Sequence, residues 1–491
     1  MQTVNRMISD TPALQPIIPA FQAHILDDAQ LDTLQCATLE ILEQVGIYCP
    51  SEKALMIYAE HDAMVDFSRR MVKLPHDVVL EAMSHAPRFY TMGARHPSFD
   101  LNLDGKAMYC ATDGCGVETI DFVTRQRRRS TKDDVAAMAR VSDYLSALSF
   151  YWPIVSAQDF PATAPLHELD ASFNNTVKHV QSETIMGDWT ANYAIEMADV
   201  IAGSELVRRS RPPLSLLVCA IAPLAQDRDG LESALRFAEA GLPVGFMSMV
   251  NIASTGPATI SGALVTGDAE IVSALVLMQM VFPGAPVFHS LLPGSMHPHT
   301  GAYLSSTLEG SQLYPIGVEM AHRWGVPTLA GIFGTDAQVP GWQSAAEAES
   351  SLLLCALTGA ETGSGLGLVE SCTLLYPESI VLDADVYHRV RIESSRLDTS
   401  PEALALDVIK QIGPRGNFLA HKHTRTHLRL RQFSGLTAQP SAGGGYRDPQ
   451  EVACDKIDWI LANHHPLPLD GVQKAELTRI LATADREANE K

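Results

Sequence analysis

Short apolar runs, many of them rich in β-branched residues, alternate with stretches of helical spacing between residues 146 and 385. The strand candidates are Phe150–Ser156, Glu183–Met186, Leu214–Ile221, Val244–Asn251, Val287–Leu292, Thr328–Phe333, Gly367–Ser371 and Ser379–Leu382. Strands that are apolar throughout are buried on both faces, as in a parallel sheet covered by helices. Eight such βα units predict a closed (β/α)8 barrel of the TIM type. An open doubly wound sheet is the alternative, weakened because no nucleotide fingerprint follows the first strand.

The regions on either side of the predicted barrel have a different pattern. Residues 28–145 mix helical spacing with short strand-like pieces around Met71–Leu74 and Met108–Ala111, which predicts an α+β cap region after a tail of residues 1–27. Thr131 and Asp134 form a capping-box pattern at the start of a helix. Residues 386–491 return to helical spacing and predict a C-terminal helical region, with Gly443–Gly445 in the loop before its last two helices.

Charge and cysteine content restrict the class of protein. The formal net charge is −21, which argues against a nucleic-acid binder because such proteins present a basic face. The eight cysteines include no CxxC pair, so reduced intracellular thiols are expected. Neither a signal peptide nor a membrane span is predicted, since the longest apolar stretches, such as Ile271–Pro283, are short. We therefore expect a soluble, cytoplasmic enzyme.

Catalytic groups of a barrel enzyme lie at the carboxyl ends of the strands. This rule selects Gln158, Asp159, Asp188, Pro223, Asn251, His289, Asp336 and Glu370. Trp342 follows a strand end in the loop Pro340-Gly-Trp-Gln343 and is a candidate cation–π partner for a methylated ammonium, although packing against the next helix explains it equally well.

Three other motifs are given structural interpretations. His297 and His299 lack a third ligand, and the run from His421 to His427 fits helix capping or packing as well as zinc, so no metal site is predicted. Gly363-Ser-Gly-Leu-Gly367 precedes a strand candidate, whereas a nucleotide loop joins a strand to a helix, so it indicates a tight turn.

An ordered set of segments resembles the trimethylamine methyltransferase (MttB) family, including its glycine betaine methyltransferase relatives. The matching pieces run from about residue 30 to residue 430: Ala37-Thr-Leu-Glu-Ile-Leu-Glu-Gln-Val-Gly46, Ala86-Pro-Arg88, Asn174-Asn-Thr-Val-Lys-His179, Ile195-Glu-Met-Ala198, Ser261-Gly-Ala-Leu-Val265, Pro283-Gly-Ala-Pro-Val287, Thr335-Asp336 with Glu347, and Gly413-Pro-Arg-Gly-Asn-Phe-Leu419 leading to His423 and His427. The resemblance implies a (β/α)8 barrel that moves a methyl group from an amine to Co(I) of a partner corrinoid protein.

The resemblance also implies a branch of the family. Its best-known trimethylamine enzymes use a pyrrolysine near the region matching Thr335–Glu347, and this sequence contains no non-standard residue. The chain thus resembles the non-pyrrolysine branch, which includes glycine betaine:corrinoid methyltransferase. A quaternary ammonium suits that branch, because demethylation releases a neutral amine without a proton. No Asp-x-His-x-x-Gly signature occurs, so this chain itself is expected to bind no cofactor, and the corrinoid would come from the partner.

Two loops depart from the family pattern. The family often has Met-Asp-Met-Arg-Thr-Gly where this chain has Met296-His-Pro-His-Thr-Gly301, and Pro-Asp-x-Gln-Ala-Gly-Tyr-Glu where it has Pro340-Gly-Trp-Gln-Ser-Ala-Ala-Glu347. The missing arginine puts recognition of a substrate carboxylate in doubt, so glycine betaine represents a substrate class here.

The sequence predicts one pocket at the barrel mouth. We expect the catalytic groups Asp336, Glu370 and His289 to lie there with substrate contacts from Tyr109, Asn251, Phe288, His299 and Trp342. A cation buried in such a pocket requires aromatic faces or carboxylates. A lyase or hydrolase that uses Asp336, Glu370 and His289 as acid–base groups is an alternative, as is a quaternary-amine binding protein without turnover. A homo-oligomer is possible in each case.

Overall fold

Eight parallel strands close into a barrel in the computed structural model, which describes residues 12–114, 116–307, 310–428 and 434–490. The strands are β1 (Tyr109–Thr112), β2 (Phe150–Tyr151), β3 (His179–Ser182), β4 (Leu214–Cys219), β5 (Val244–Ser248), β6 (Val287–Leu291), β7 (Leu329–Gly331) and β8 (Thr362–Leu366). Their order in the sheet is β6-β5-β4-β3-β2-β1-β8-β7. A parallel bridge between His289 and Thr328 joins β6 to β7 and closes the barrel.

Each strand is followed by a helix on the outer face. The helices are α1 (Lys132–Tyr144), α2 (Ala164–Asn175), α3 (Gly187–Ala202), α4 (Arg228–Ala240), α5 (Ile260–Val281), α6 (Gly310–Arg323), α7 (Trp342–Leu357) and α8 (Ser379–Glu393). A further short helix, Glu205–Ser210, follows α3. The predicted (β/α)8 barrel is confirmed, and so is the capping box of Thr131 and Asp134 at the start of α1.

Three strands differ from the sequence prediction, and one strand candidate is helical. The barrel begins with Tyr109–Thr112, which the sequence boundaries assign to the cap region, so a barrel start at residue 146 is too late. A rim hairpin, Glu118–Ile120 with Arg127–Arg129, separates β1 from α1 and hides this βα unit in the sequence. The strands β3 and β8 lie a few residues earlier than predicted, and Ser379–Leu382 is the first turn of α8.

The N-terminal α+β region packs on the flank and the amino end of the barrel. It contains the helices Asp28–Glu40, Glu52–Glu60 and His76–Ser84, a π turn Ile41–Val45, a 3-10 turn Pro97–Phe99, and the strands Ile47–Tyr48, Met64–Asp66, Met71–Lys73, Tyr90–Met92 and Leu101–Leu103. Thr38 and Tyr58 hydrogen-bond to Asp268 and Ser273 of α5. Helix α5 is long and apolar enough to span a membrane, although the sequence predicted no membrane span. However, 83% of its most apolar stretch is buried inside the protein. It is a core helix of the barrel wall.

The C-terminal region is helical, as predicted. It contains Pro401–Leu404, Leu406–Ile412, Lys422–Leu428, Pro449–Asn463 and Gly471–Glu490. The last two helices pack on the barrel through buried residues such as Ile457 and Ile480, whereas the first three bury no residue. The glycine loop at 443–445 precedes the last two helices, as the sequence predicts.

Candidate active site at the barrel mouth

Short strands from the βα loops form a rim at the carboxyl end of the barrel. One small sheet combines Leu368–Val369, Leu374–Leu375, Glu118–Ile120 and Arg127–Arg129, and another combines Asn251–Ile252, Gly294–Met296 and Tyr303–Leu304. This is the end of a (β/α)8 barrel where side chains from different strands converge.

Three carboxylates converge on one thiol inside this rim. Asp113 directly follows β1 and is 6% exposed, Glu183 directly follows β3, and Asp336 lies beyond β7. The pKa of the Cys372 thiol is raised well above its ordinary value, first because the sulfur is removed from water. The charge of Asp113 and a hydrogen bond to it raise the pKa further, and the charges of Asp336 and Glu183 add to the effect. The thiol is therefore neutral, and it lies among three carboxyl groups.

A second thiol and a buried amide adjoin Glu183. Cys219, the last residue of β4, places its Sγ 3.9 Å from Glu183 Oε2, and its pKa is raised by burial and by that carboxylate. Gln181 is 1% exposed, and its Nε2 has no hydrogen-bond partner among the described residues. Because side chains two residues apart on a strand share a face, Gln181 and Glu183 both point into the barrel. A buried amide donor without an acceptor is costly and marks a position for a ligand.

An indole lies beside Asp113. The backbone N–H of Gly114 donates to Asp113 Oδ1 at 2.7 Å. A Cβ on Gly114 would meet Trp152 Nε1 at 1.8 Å, so only glycine lets the chain pass over the indole ring. Trp152, which follows β2, is 3% exposed. The mouth therefore combines carboxylates with an aromatic ring, the two kinds of group that stabilise an organic cation.

Asp336 connects the loops that follow three strands. Its Oδ1 accepts hydrogen bonds from the backbone N–H and the hydroxyl of Ser305, at 2.8 and 2.9 Å, and from the Ser371 hydroxyl at 2.7 Å. Its Oδ2 accepts from the Ser306 N–H at 3.0 Å. Asp336 thus lies at the mouth, with both oxygens engaged in fixing the loops.

Glu370 begins an unusual stretch of backbone. Glu370, Ser371 and Cys372 have φ values of 52°, 51° and 69°, three consecutive non-glycine residues in the left-handed region. Such residues cost about 1–3 kcal/mol each and persist where the surroundings hold them. Here Arg127 pairs with Glu370 at 3.0 Å and Asp336 binds Ser371. These contacts direct Cys372 toward the carboxylate cluster.

His289 lies outside the barrel lumen, contrary to the sequence expectation. Its Nε2 is 2.8 Å from Asp268 Oδ1 on α5, and the same carboxylate accepts from Thr38 and Trp324. His289 and Asp268 are both fully buried. The side chain of His289 therefore points into the layer between β6 and the helices, so it cannot serve as a catalytic group at the mouth.

The two predicted aromatic contacts from the strands lie deep in the lumen. Tyr109 is the first residue of β1 and Phe288 the second of β6, so both belong to the amino-terminal half of the barrel. They share a buried cluster with Met92 and Leu101 of the N-terminal hairpin; Trp152 belongs to the same cluster, but it follows its strand and so lies at the mouth end of the lumen. Phe288 fills the space over Gly245, where a Cβ would come within 2.0 Å of its ring. Both aromatic residues serve the core rather than the mouth.

The other three predicted contacts lie on or beyond the rim. Asn251 pairs with Gly294 in a rim sheet, and its Oδ1 is buried with no partner among the described residues. His299 is exposed in the turn between two rim strands, and Trp342 is 85% exposed at the start of α7. The structure thus brings Asp336, Glu370 and Asn251 to the mouth and does not gather the three predicted aromatic residues around one ligand.

Histidine pairs occur without further ligands. The rings of His297 and His299 are 5.8 Å apart and those of His423 and His427 are 4.0 Å apart. No group of three or more metal-binding side chains is arranged for an ion within the described ranges.

A cleft of about 860 Å³ lies at the opposite end of the barrel. Its lining includes Arg88, Glu319 and His322. Arg88 and His322 both pair with the buried Glu361, at 2.8 and 3.1 Å, and Glu319 accepts the backbone N–H groups of Ile25 and Leu26. These charged groups bind one another and attach the N-terminal segment to the barrel, so the cleft has the character of a structural junction.

Sequence reasoning missed Asp113, Glu183, Gln181 and Cys372. Asp113 was missed because its strand was assigned to the cap region. Glu183 was missed because it was predicted to begin a strand, whereas the observed strand ends at Ser182 and Glu183 follows it. Catalytic groups are expected at the carboxyl ends of barrel strands, and this rule would have selected both acids if the strand ends had been predicted correctly. No sequence signal marked Cys372, whose position depends on the left-handed backbone.

Comparison with known proteins agrees with this architecture. The trimethylamine methyltransferase (MTTB) family model matches residues 2–489. Trimethylamine methyltransferase MttB of Desulfitobacterium hafniense is 30% identical over 465 residues, which cover 94% of each chain. A glycine betaine methyltransferase of the same species is 26% identical over 478 residues, covering 95% of this chain and 98% of the relative.

The fold has a counterpart among solved structures. The Methanosarcina barkeri monomethylamine methyltransferase MtmB superposes with a TM-score of 0.52 at 13% identity, covering 97% of this chain and 90% of the other. This likeness supports the fold alone. Because the family model matches nearly every residue from 2 to 489, the chain belongs to the trimethylamine methyltransferase family.

Proposed function

We propose that the chain transfers a methyl group from a quaternary ammonium compound to Co(I) of a corrinoid carried by a separate protein. Family membership supports methyl transfer, and the relatives are named for trimethylamine and for glycine betaine. The observation that carries the proposal is the negatively charged cluster of Asp113, Glu183 and Asp336 at the barrel mouth, beside a buried indole.

The cluster suits a permanent cation. A quaternary ammonium has no N–H to donate, so it is held by charge and by aromatic faces rather than by hydrogen bonds. Asp113 and Glu183 supply the charge and Trp152 supplies the ring. The Gln181 amide can donate to an oxygen substituent of the donor molecule. Asp336 acts through the loops that it fixes and is a positioning residue.

The chemistry requires little from the protein beyond binding and alignment. The bond between the methyl carbon and nitrogen breaks, nitrogen keeps the electron pair, and the product is a neutral tertiary amine. The methyl carbon bonds to the nucleophilic acceptor, which supplies both electrons of the new bond. No proton moves, so no general acid is required. The protein holds the cation, excludes water and keeps the methyl group in line with the acceptor.

The charge of the mouth favours donors without a carboxylate. On the rim strand Arg127–Arg129, Arg127 already pairs with Glu118 and Glu370, and Arg128 with Asp121 and Asp134. A betaine carboxylate beside Asp113 and Glu183 would be repelled without a free cation to balance it. We therefore expect choline or tetramethylammonium to be better donors than glycine betaine.

The test is methyl transfer to a Co(I) corrinoid protein from tetramethylammonium, choline, glycine betaine and trimethylamine. Glu183→Gln and Asp113→Asn should each lower kcat/KM for the best donor about 30-fold or more, because losing one partner of a desolvated charge pair costs about 2–5 kcal/mol. Glu205→Gln, which removes an exposed carboxylate far from the mouth, is the matched control. Equal rates in all three variants would move the site elsewhere. No transfer from any donor would reject the methyltransferase assignment of this chain.

A further inference from the structure

One described segment of the chain, in the C-terminal region, buries none of its residues. We call residues 395–428 the exposed arm. Its helices Pro401–Leu404, Leu406–Ile412 and Lys422–Leu428 contain no buried residue. Seven of its large apolar side chains are 44–80% exposed: Leu397, Leu404, Leu406, Ile409, Phe418, Leu419 and Leu428. The exposed arm therefore presents an apolar surface that this chain does not cover.

Helices this short are not stable on their own. A helix shorter than about 12 residues is marginal in water, and most helical stability in proteins comes from packing of an apolar face. The helices of the exposed arm have four, seven and seven residues. A covering surface from another molecule would supply the packing that they lack.

The charge of the exposed arm is opposite to that of the rest of the chain. The exposed arm and the five residues that follow it, 395–433 together, contain seven Lys or Arg, three His and three Asp or Glu, a net charge of +4. The whole chain has a net charge of −21, so the remainder carries −25 once this segment is taken away. Opposite charge steers association and excludes like-charged partners. Two exposed arms would repel each other, whereas the acidic body of this same protein is complementary.

The position of the exposed arm also distinguishes its partners. It begins after α8, whose carboxyl end lies at the amino end of the barrel, and Ser394 there accepts the N–H of Ala20. The chain rejoins the body where Ser434 binds Asp385, midway along α8. Both attachments lie away from the mouth, where a methyl acceptor must reach the substrate. A corrinoid protein needs the mouth, so it is a poor occupant for this surface.

From the exposed apolar residues, the basic charge and the position, we propose that the exposed arm docks on the acidic body of a second copy of this chain. The exchange is reciprocal in a two-fold dimer, with each arm lying on the partner body. Apolar side chains such as Ile409 and Leu419 fill the centre of the contact, and Lys410 and Lys422 pair with carboxylates around it. The mouths of both copies remain open.

Sedimentation equilibrium of the full chain tests the proposal. The wild type should have about twice the 53.2 kDa chain mass. The double variant Ile409→Glu, Leu419→Glu should sediment as a monomer and keep the urea midpoint of the body, because neither residue belongs to the core; its helical circular dichroism should fall by no more than the short helices of the arm contribute. Leu206→Glu, which replaces an 80% exposed leucine on another surface, should leave the dimer intact. A monomeric wild type would overturn the proposal, as would a dimer that the double variant does not weaken.

Cross-linking distinguishes a second copy from other occupants. Equal amounts of ¹⁴N- and ¹⁵N-labelled protein are mixed and treated with a carbodiimide, which joins a lysine directly to a paired carboxylate. Peptides linking Lys410 or Lys422 to a carboxylate should include mixed-isotope pairs, formed only between copies. Exclusively same-isotope pairs would show that the arm folds onto its own chain. Links to an added corrinoid protein in place of a second copy would identify the other partner and reject the proposal.

Discussion

The buried carboxylate of Asp268 should contribute more to stability than any other single group in the layer between β6 and the helices. It is fully buried on α5 and accepts hydrogen bonds from three separate elements: Thr38 at 2.7 Å, His289 at 2.8 Å and Trp324 at 3.0 Å. The Asp268→Ala variant leaves all three donors buried without an acceptor. Each such loss costs about 1–3 kcal/mol, so we expect the free energy of unfolding to fall by about 3–5 kcal/mol.

Urea unfolding followed by tryptophan fluorescence measures this loss, since Trp324 is one of the three donors. Asp268→Asn keeps an acceptor oxygen of the same shape and should lose less than half as much. Because Thr38 lies on the helix Asp28–Glu40, limited proteolysis should also cleave the N-terminal region of Asp268→Ala faster. A loss below about 1 kcal/mol in Asp268→Ala would refute the reasoning, since it would mean that the donors find other partners.

The same network predicts the behaviour of His289. His289→Gln keeps an amide that can donate to Asp268, so the variant should remain folded and retain kcat in methyl transfer. A catalytic histidine would give the opposite result. A lost kcat with an unchanged urea midpoint would restore the catalytic role that the sequence suggested.

Three further predictions concern single side chains. Burial raises the pKa of Asp383 to about 7, although the Gly367 N–H donates to its carboxylate. The stability that the protonated Asp383 contributes is fully present below the pKa of the unfolded chain and is lost as pH rises through 7, by at most about 4 kcal/mol. In urea midpoints measured across pH, Asp383→Asn should remove this loss. Lys178 is buried and donates to three backbone carbonyls at and beyond the end of α1, so Lys178→Met should lower the free energy of unfolding by more than about 2 kcal/mol in the same assay. Trp342 is 85% exposed, so Trp342→Ala should change the free energy of unfolding by less than about 0.5 kcal/mol and leave KM for the amine unchanged. A large rise in KM would instead show that the Trp342 ring contacts the substrate.

The barrel could be predicted from the sequence because its strands are buried on both faces and recur with helices between them. The strand at 109–112 was recognised as strand-like but assigned to the cap region, because the rim hairpin separates it from α1. Site residues were harder to predict because the side-chain period of a strand is two, so neighbouring residues face opposite sides. Phe288 and His289 are adjacent, yet one points into the lumen and the other toward α5. Periodicity locates a strand, whereas the assignment of faces requires the register of the whole sheet.

The thiol in the carboxylate cluster has a chemical consequence for a methyl transfer site. A thiolate is a strong nucleophile and could itself take a methyl group from an activated donor, whereas a protonated thiol is a poor one. A bound cation on its own would favour the thiolate of Cys372 by attraction. Burial and the charges of Asp113, Asp336 and Glu183 act in the opposite direction, because each raises the pKa of that thiol. The carboxylates that would bind the ammonium thus also keep Cys372 protonated, and the left-handed backbone from Glu370 holds it where they act. The same negative charge can therefore bind the donor and keep the neighbouring sulfur from competing with the methyl acceptor.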